Sequence, residues 1–131
     1  DWWKNVLHFT EEQVWALLEK YKVTPPVPYR LGWGRSSCMT CIFNSPKIWS
    51  TISTYYPERA QLIAGYEQKF DCTISRSKID VVSLSNGIEP FDIQDMEALV
   101  QSKIESYYLP VFTDNWTVPP GAFNKEGCGS L

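Results

Sequence analysis

The chain of 131 residues has a single histidine, His8, and no apolar run near the roughly 20 residues that a membrane-spanning helix needs. Basic residues are not in excess, because 12 Lys and Arg stand against 15 Asp and Glu, for a net charge of −3. This balance disfavours a strongly basic nucleic-acid-binding domain. Residues 1–4, Asp-Trp-Trp-Lys, lack the basic start and the long apolar stretch of a secretory signal peptide. These absences favour a cytoplasmic protein that does not enter a membrane.

Familiar catalytic motifs are also lacking. The sequence has no Ser/His/Asp set with a recognisable spacing, no glycine-rich phosphate loop and no metalloprotease helix motif. The lone His8, beside Phe9 and just before the first predicted helix, is interpreted as a surface or capping residue rather than a base or a ligand. None of these common enzyme classes is therefore indicated for the chain by itself.

Aromatic side chains and prolines are abundant instead. Aromatic residues make up 15% of the chain, which has six Trp and nine Pro. The length suits one domain. A small domain uses large rings to fill its core, but rings also line pockets and flat interfaces, so both interpretations stay open.

The patterns predict a mainly α structure with about four helices and little strand. Thr10 and Gln13 form a capping box for the first helix, and the Pro-rich residues 24–28 end it. Its expected inward stripe is Val14, Leu17, Leu18 and Tyr21.

Three further helices are expected along the chain. The second begins at Pro46 with Ser45 as its N-cap, the third restarts at Pro57, and the fourth is capped by Asp92. Their expected inward residues are Ile48, Trp49, Ile52 and Tyr55, then Ile63, Tyr66 and Phe70, then Ile93, Met96, Val100 and Ile104. Residues 73–84 are ambiguous between a short strand and an irregular connection, and Asn86-Gly87 is a turn.

The chain divides into a helical region, residues 1–108, and an extended Pro/Gly-rich tail, residues 109–131. The tail must lean on another part of the structure to be ordered. A Gly/Arg/Cys loop spans residues 29–41 inside the helical region. The whole looks incomplete, which indicates either a helical appendage of a larger α/β protein or a subunit that docks against one.

Four cysteines, Cys38, Cys41, Cys72 and Cys128, are the first candidate functional residues. The Cys-x-x-Cys spacing of the first two brings both sulfurs to one turn, which suits a metal, a cluster or a redox dithiol. Two interpretations stay open: a four-cysteine zinc or iron–sulfur site, and simple reduced thiols.

Two arginines flank the glycines just before this pair. Arg30 and Arg35 are expected to bind phosphate or sulfate through paired hydrogen bonds, and a guanidinium also favours the reactive thiolate of a nearby cysteine. Ordinary surface charge is the alternative, and it is the favoured interpretation for the second basic cluster, Arg76 and Lys78.

One extended pattern resembles the second half of the phosphoadenylyl-sulfate (PAPS) reductase family, closest to its bacterial and phage-borne branch. The pattern consists of Trp2, Thr10-x-x-x-Val14-Trp15 and Pro28-Tyr29-x-x-Gly32-x-x-Arg35-x-x-Cys38-x-x-Cys41. The resemblance covers roughly residues 1–90, and residues 86–90 are a late echo. It implies the helical C-terminal portion of an α/β nucleotide-binding fold of the adenine-nucleotide α-hydrolase-like superfamily.

The resemblance also implies a role for the end of the chain. Residues 125–131, Lys-Glu-Gly-Cys-Gly-Ser-Leu, look like a distant version of the family's Lys-Glu-Cys-Gly-Leu-His tail, with a glycine inserted and no histidine. By that likeness Cys128 is the nucleophile that attacks the sulfur of the activated sulfate, and thioredoxin or glutaredoxin then releases sulfite. As an alternative, Cys128 joins the other three cysteines as a metal ligand.

The family's N-terminal half, which carries a Ser-Gly-Gly-Lys-Asp-Ser-like phosphate loop, has no counterpart in the sequence. Backbone N–H groups of such a loop hold the nucleotide phosphates, so this chain is not expected to bind the nucleotide tightly alone. The prediction is the C-terminal part or a split subunit of a PAPS-reductase-like enzyme, acting on an adenylyl sulfate or a related adenine nucleotide by thiol chemistry. The alternatives are a zinc- or iron–sulfur-bearing interaction module and a non-catalytic accessory protein that docks on a larger assembly.

Overall fold

The computed structural model describes residues 6–124, and over this range the chain is mainly helical. Helix takes 41% of it and strand 2%, with no sheet. The helices are α1 Glu11–Lys20, α2 Val27–Arg30, α3 Pro46–Tyr55, α4 Pro57–Phe70, α5 Val81–Ser85 and α6 Met96–Gln101. The mainly α prediction is confirmed, and no helix within these residues is long and apolar enough to cross a membrane.

Local signals set the starts of three helices as expected. The Thr10 hydroxyl accepts a hydrogen bond from the Gln13 N–H and the Gln13 side chain accepts one from the Thr10 N–H, which completes the capping box of α1. The Ser45 hydroxyl accepts from the Ile48 N–H at the start of α3, and α4 begins with Pro57.

Helix α3 is the centre of the core. Ile48, Trp49 and Ile52 are fully buried, as predicted, and α3 packs against α4 and α5. The other buried apolar residues around it come from residues 31 to 99: Leu31, Trp33, Tyr56, Val81, Ile93, Ala98 and Leu99. The Gly/Arg/Cys loop is therefore anchored in the core at two points of the chain: at Trp33, before the cysteines, and at α3, after them.

The predicted inward stripe of α1 is wrong for three of its four residues. Val14, Leu17 and Tyr21 are 37%, 39% and 59% exposed, whereas Leu18 is partly buried, and Trp15 is the one buried residue of the helix. The Trp15 indole packs edge-on against the Tyr29 ring with 5.0 Å between centroids, and its N–H donates to the Glu11 carboxylate. Burial of one large indole therefore outweighs burial of the aliphatic stripe, because it removes more apolar surface from water.

The fourth predicted helix is also shifted. Helix α6 begins at Met96 and is capped by Asp95 rather than Asp92. Ala98 and Leu99 are the buried apolar residues of α6, and the predicted Met96 and Val100 are more than half exposed. Ile93 is buried as predicted, whereas Ile104 lies beyond the helix and is exposed.

Two smaller expectations on the inward faces and the connection are corrected as well. Tyr66 and Phe70 of α4 are 47% and 62% exposed and pack against each other, with 6.1 Å between ring centroids. Residues 81–85 form α5, a short helix whose N-cap Asp80 accepts from the Ser83 N–H, where the sequence left a strand or an irregular connection open.

The described part of the tail packs on the beginning of the same chain. Phe112 forms an isolated antiparallel bridge with Val23, and the buried Trp116 donates its indole N–H to the Val23 carbonyl at 2.9 Å. Further along, the Gly121 N–H donates to the Tyr29 carbonyl at 2.8 Å. Residues 109–124 therefore pack against residues 22–33 and hydrogen-bond to them.

Candidate functional site

The Gly/Arg/Cys loop is anchored by buried aromatic residues. After α2 the chain turns at Gly32, which has a φ of +98°, a conformation that suits glycine. Trp33 then enters the core, 5% exposed, and lies against Phe91 with 5.6 Å between ring centroids. This anchor presents the residues that follow, up to Ser45 at the start of α3, on one side of the core.

Arg35 and Cys41 meet in this loop. The Arg35 Nη2 donates to the Cys41 Sγ at 3.8 Å, and both residues are partly buried, whereas Cys38 is exposed. The Arg35 guanidinium is thus a cationic hydrogen-bond donor to the Cys41 sulfur. The expectation that Arg35 lies beside a thiol of the pair agrees with this contact.

The loop is held more by packing than by polar contacts. Asn44 donates from its amide to the Met39 carbonyl, inside the Cys-x-x-Cys turn. Asn44 Oδ1 and the indole N–H of the fully buried Trp49 have no hydrogen-bond partner among residues 6–124. Buried polar groups are normally paired, so the underside of this loop is not a completed hydrogen-bond network.

The described cysteines do not form a metal site. Cys38, Cys41 and Cys72 are free thiols, and Cys72 is an exposed residue just after Asp71, which ends α4. No group of three or more His, Cys, Asp or Glu side chains that could hold a metal occurs within residues 6–124. The predicted fourth ligand and nucleophile, Cys128, lies outside the described residues, so the four-cysteine site stays a prediction.

Arg30, the other predicted anion ligand, has carboxylate partners. Its Nε and Nη2 donate to the two carboxylate oxygens of Asp95 at 2.7 and 3.1 Å, and Nη2 lies 3.6 Å from a Glu97 oxygen. The Arg30 side chain is 14% exposed. This pair ties α2 to the start of α6, and the role of Arg30 as an anion ligand stays a prediction. The sequence could not show this pairing, because the partners are 65 residues apart.

The Arg30–Asp95 pair predicts a specific acid sensitivity. Burial opposes ionisation of Asp95, but the hydrogen bonds from Arg30 and from the Ala98 N–H, together with the Arg30 charge, hold the Asp95 pKa below its usual value. The stabilisation is therefore present above the ordinary aspartate pKa of about 4 and is lost as the pH falls through the lowered one. We expect Asp95→Asn to lower the free energy of unfolding by about 1–3 kcal/mol at pH 7 and by much less at pH 3.

Urea unfolding at both pH values measures this effect. Asp114→Asn, a change at an exposed aspartate of the tail, is the control and should cost little at either pH. A difference between wild type and Asp95→Asn that is the same at pH 7 and pH 3 would contradict the role given to the pair.

A recess beside the Cys-x-x-Cys turn was not foreseen from the sequence. Met39 forms part of its wall, together with residues from the junction of α3 and α4 and from the end of α6. Tyr56 lies in this wall, 6% exposed, and its hydroxyl is 2.7 Å from the Ser102 Oγ. Burial raises the pKa of Tyr56, and the hydrogen bond with Ser102 offsets this only in part, so its hydroxyl stays neutral.

No family model, curated protein or solved structure was found to match this chain. The resemblance of its Gly/Arg/Cys loop to the PAPS reductase family accordingly stays a prediction from the sequence, and the function is argued from the geometry of the loop.

Proposed function

We propose that this chain is the C-terminal part or a split subunit of a PAPS-reductase-like enzyme that acts on an adenylyl sulfate or a related adenine nucleotide by thiol chemistry. The observation that supports it is the contact between Arg35 and the Cys41 sulfur in a loop whose second thiol, Cys38, is exposed. A cationic donor on one sulfur and free access to the other suit a reactive dithiol.

The chemistry needs two thiols for each sulfate reduced. A thiolate attacks the sulfur of the activated sulfate, an S–S bond forms, and the adenine nucleotide leaves with its phosphate oxygen. A second thiolate attacks the sulfur of the modified cysteine, so that a disulfide forms and sulfite departs with the electron pair. Two thiols are oxidised and one sulfate is reduced, and an external dithiol protein of the thioredoxin or glutaredoxin class restores the thiols.

The residues of this chain have distinct parts in the proposal. The resemblance places the attacking thiolate at Cys128, and Cys38 and Cys41 supply further thiols. Arg35 has five N–H donors and uses one on Cys41 among residues 6–124, so its other donors are available to the sulfate oxygens. The nucleotide phosphates require a second, phosphate-loop-bearing half, supplied by a partner protein or by another part of the same product.

Sulfite release is the test. The chain is combined with a nucleotide-binding half of the PAPS reductase family, an adenylyl sulfate and a thiol reductant. We expect sulfite release that is abolished by Cys128→Ser, strongly reduced by Cys38→Ser or Cys41→Ser, and lowered about tenfold or more by Arg35→Gln. Arg76→Gln is the matched control, because Arg76 lies over the Phe43 ring near the loop and no contact with a cysteine sulfur is found for it within residues 6–124.

Alkylation of the chain alone gives a second measurement of the same contact. Iodoacetamide should modify Cys41 more slowly in Arg35→Gln than in wild type, because the variant lacks the guanidinium that contacts its sulfur. The proposal is wrong if sulfite release does not depend on any of the three cysteines, or if Arg35→Gln and Arg76→Gln behave alike in both measurements.

One observation favours the second candidate function, a non-catalytic protein that docks on a larger assembly. Val14, Leu17 and Tyr21 of α1 are exposed. Two residues after Tyr21, Val23 forms the β-bridge with Phe112, which is itself 66% exposed. Exposed apolar side chains near one another mark interaction surfaces. In that case the chain would associate with its partner and all cysteine variants would behave as wild type. The metal-bearing alternative has no support in residues 6–124, because their cysteines do not gather.

A further inference from the structure

The recess beside the Cys-x-x-Cys turn has the size of a small-molecule site. Its volume is about 420 Å³, within the range of roughly 300–1,000 Å³ that is usual for ligand pockets. The residues that matter for its chemistry are Met39, Tyr55, Tyr56, Arg59, Ser102 and Lys103. They come from the thiol loop, from the junction of α3 and α4, and from the turn after α6.

Two cations line this recess without a carboxylate partner. Arg59 and Lys103 are both exposed, and every ion pair found within residues 6–124 involves Arg30 instead. Glu58 also lines the recess, so the lining side chains carry a net charge of +1. The Lys103 ammonium lies 5.3 Å from the centroid of the Tyr56 ring, which holds it at the wall. Unpaired cations beside aromatic rings favour an anionic ligand that also has an apolar or ring-shaped part.

The wall behind the cations is partly buried and hydrogen-bonded. Tyr56 is 6% exposed and its hydroxyl pairs with Ser102, so the end of α3 is joined to the end of α6. Arg59 lies in the first turn of α4, whose N-terminus has no side-chain cap. The positive end of this 14-residue helix adds to the electric field of Arg59 and Lys103.

We propose that this recess binds a small phosphorylated or sulfated molecule, with Arg59 and Lys103 on its anionic group and with Tyr55 and Met39 against its ring. The assignment of that molecule as an adenine nucleotide rests on the proposed function. Met39 lies between Cys38 and Cys41 in sequence, so a ligand in the recess contacts the turn that carries both thiols. Arg59 and Lys103 thus take the role that the sequence assigned to Arg30.

Amide chemical-shift titration of the isolated chain tests the recess directly. Adenosine 5′-monophosphate is added to millimolar concentration, since tight binding is not expected without the phosphate-loop half. We expect shifts at Tyr55, Arg59 and Lys103 and an affinity that falls about tenfold or more in the double variant Arg59→Gln/Lys103→Gln. Adenosine, which lacks the phosphate, should bind far more weakly than the monophosphate.

The double variant Lys20→Gln/Lys69→Gln is the matched control. It removes the same charge from two lysines that also lie over aromatic rings, 5.5 Å from the Tyr21 centroid and 5.4 Å from the Phe70 centroid, and neither lines the recess. Its affinity for adenosine 5′-monophosphate should equal that of wild type.

Three results would overturn the recess as a ligand site: no shifts at its residues, equal losses of affinity in the two double variants, or adenosine binding as tightly as its monophosphate. Each of them leaves the thiol measurements unaffected. Cysteine-dependent sulfite release with no binding at the recess would reject this inference alone, and binding at the recess without such release would reject only the thiol chemistry.

Discussion

Replacing Gly121 by alanine is expected to lower the free energy of unfolding by about 2–3 kcal/mol and to loosen residues 109–124 from the beginning of the chain. A Cβ at this position would lie 2.1 Å from the Trp33 carbonyl oxygen and 2.7 Å from the Tyr29 carbonyl oxygen. Both neighbours are backbone atoms, so no side-chain rotation relieves the clash. The same displacement breaks the hydrogen bond from the Gly121 N–H to the Tyr29 carbonyl.

Urea unfolding measures the loss, and limited proteolysis detects the loosened tail. Gly65→Ala is the control, because a Cβ at Gly65 meets no atom within 4 Å and the residue lies inside α4. That change should stabilise the protein by about 0.5–1 kcal/mol through helix propensity. If Gly121→Ala unfolds like wild type, the tail does not approach Trp33 as the structure has it.

Removal of the Glu67 carboxylate is the second change with a large expected effect. Glu67 is 7% exposed, and its two oxygens accept hydrogen bonds from the backbone N–H groups of Ile74 and Val81, each at 2.9 Å. These bonds hold the connection after α4 and the first residue of α5. Glu67→Ala leaves two donors without their charged acceptor, which we expect to cost about 3 kcal/mol.

The matched variants separate this role from loss of side-chain volume. Glu67→Gln keeps one acceptor oxygen and should cost about half as much, while Gln68→Ala, at the exposed next residue of α4, should cost less than about 0.5 kcal/mol. Hydrogen exchange of the Ile74 and Val81 amides should accelerate in Glu67→Ala in step with the lost stability. Unchanged protection of both amides would contradict the role of Glu67.

Helix starts could be predicted from the sequence because they depend on neighbouring residues. The capping box of Thr10 and Gln13 and the Ser45-Pro46 start involve side chains within one turn of the backbone groups they pair with. The buried face of α3 was also clear, since Ile48, Trp49 and Ile52 have helical spacing. Local chemistry was sufficient at these places.

Faces and caps that depend on distant residues could not be read in the same way. Helix α1 buries Trp15 because Tyr29 lies against it, and α6 begins at Asp95, whose carboxylate also pairs with Arg30. In the sequence, the apolar spacing of Val14, Leu17 and Tyr21 predicted the wrong inward face for α1. Asp92 likewise predicted a helix start three residues too early. Tertiary packing decided both cases.

In the candidate site, too, contacts between residues near in sequence could be predicted and contacts between distant residues could not. Arg35 and Cys41 are six residues apart in one loop, so their contact was within reach of sequence reasoning. Arg59 and Lys103 come from segments 44 residues apart, and only folding brings them to one recess. The buried Glu67 gave no signal, because a glutamate on a helix is ordinarily a solvated residue.

The ion pair of Arg30 has a mechanical consequence for the two sides of the thiol loop. Arg30 lies near the beginning of that loop and pairs with Asp95 and Glu97 at the start of α6, and Lys103 lies two residues after the end of the same short helix. The Arg30–Asp95 pair therefore ties the chain before the cysteines to the short helix that precedes Lys103. The loop that carries Cys38 and Cys41 and the recess wall at Lys103 are thus connected through one ion pair.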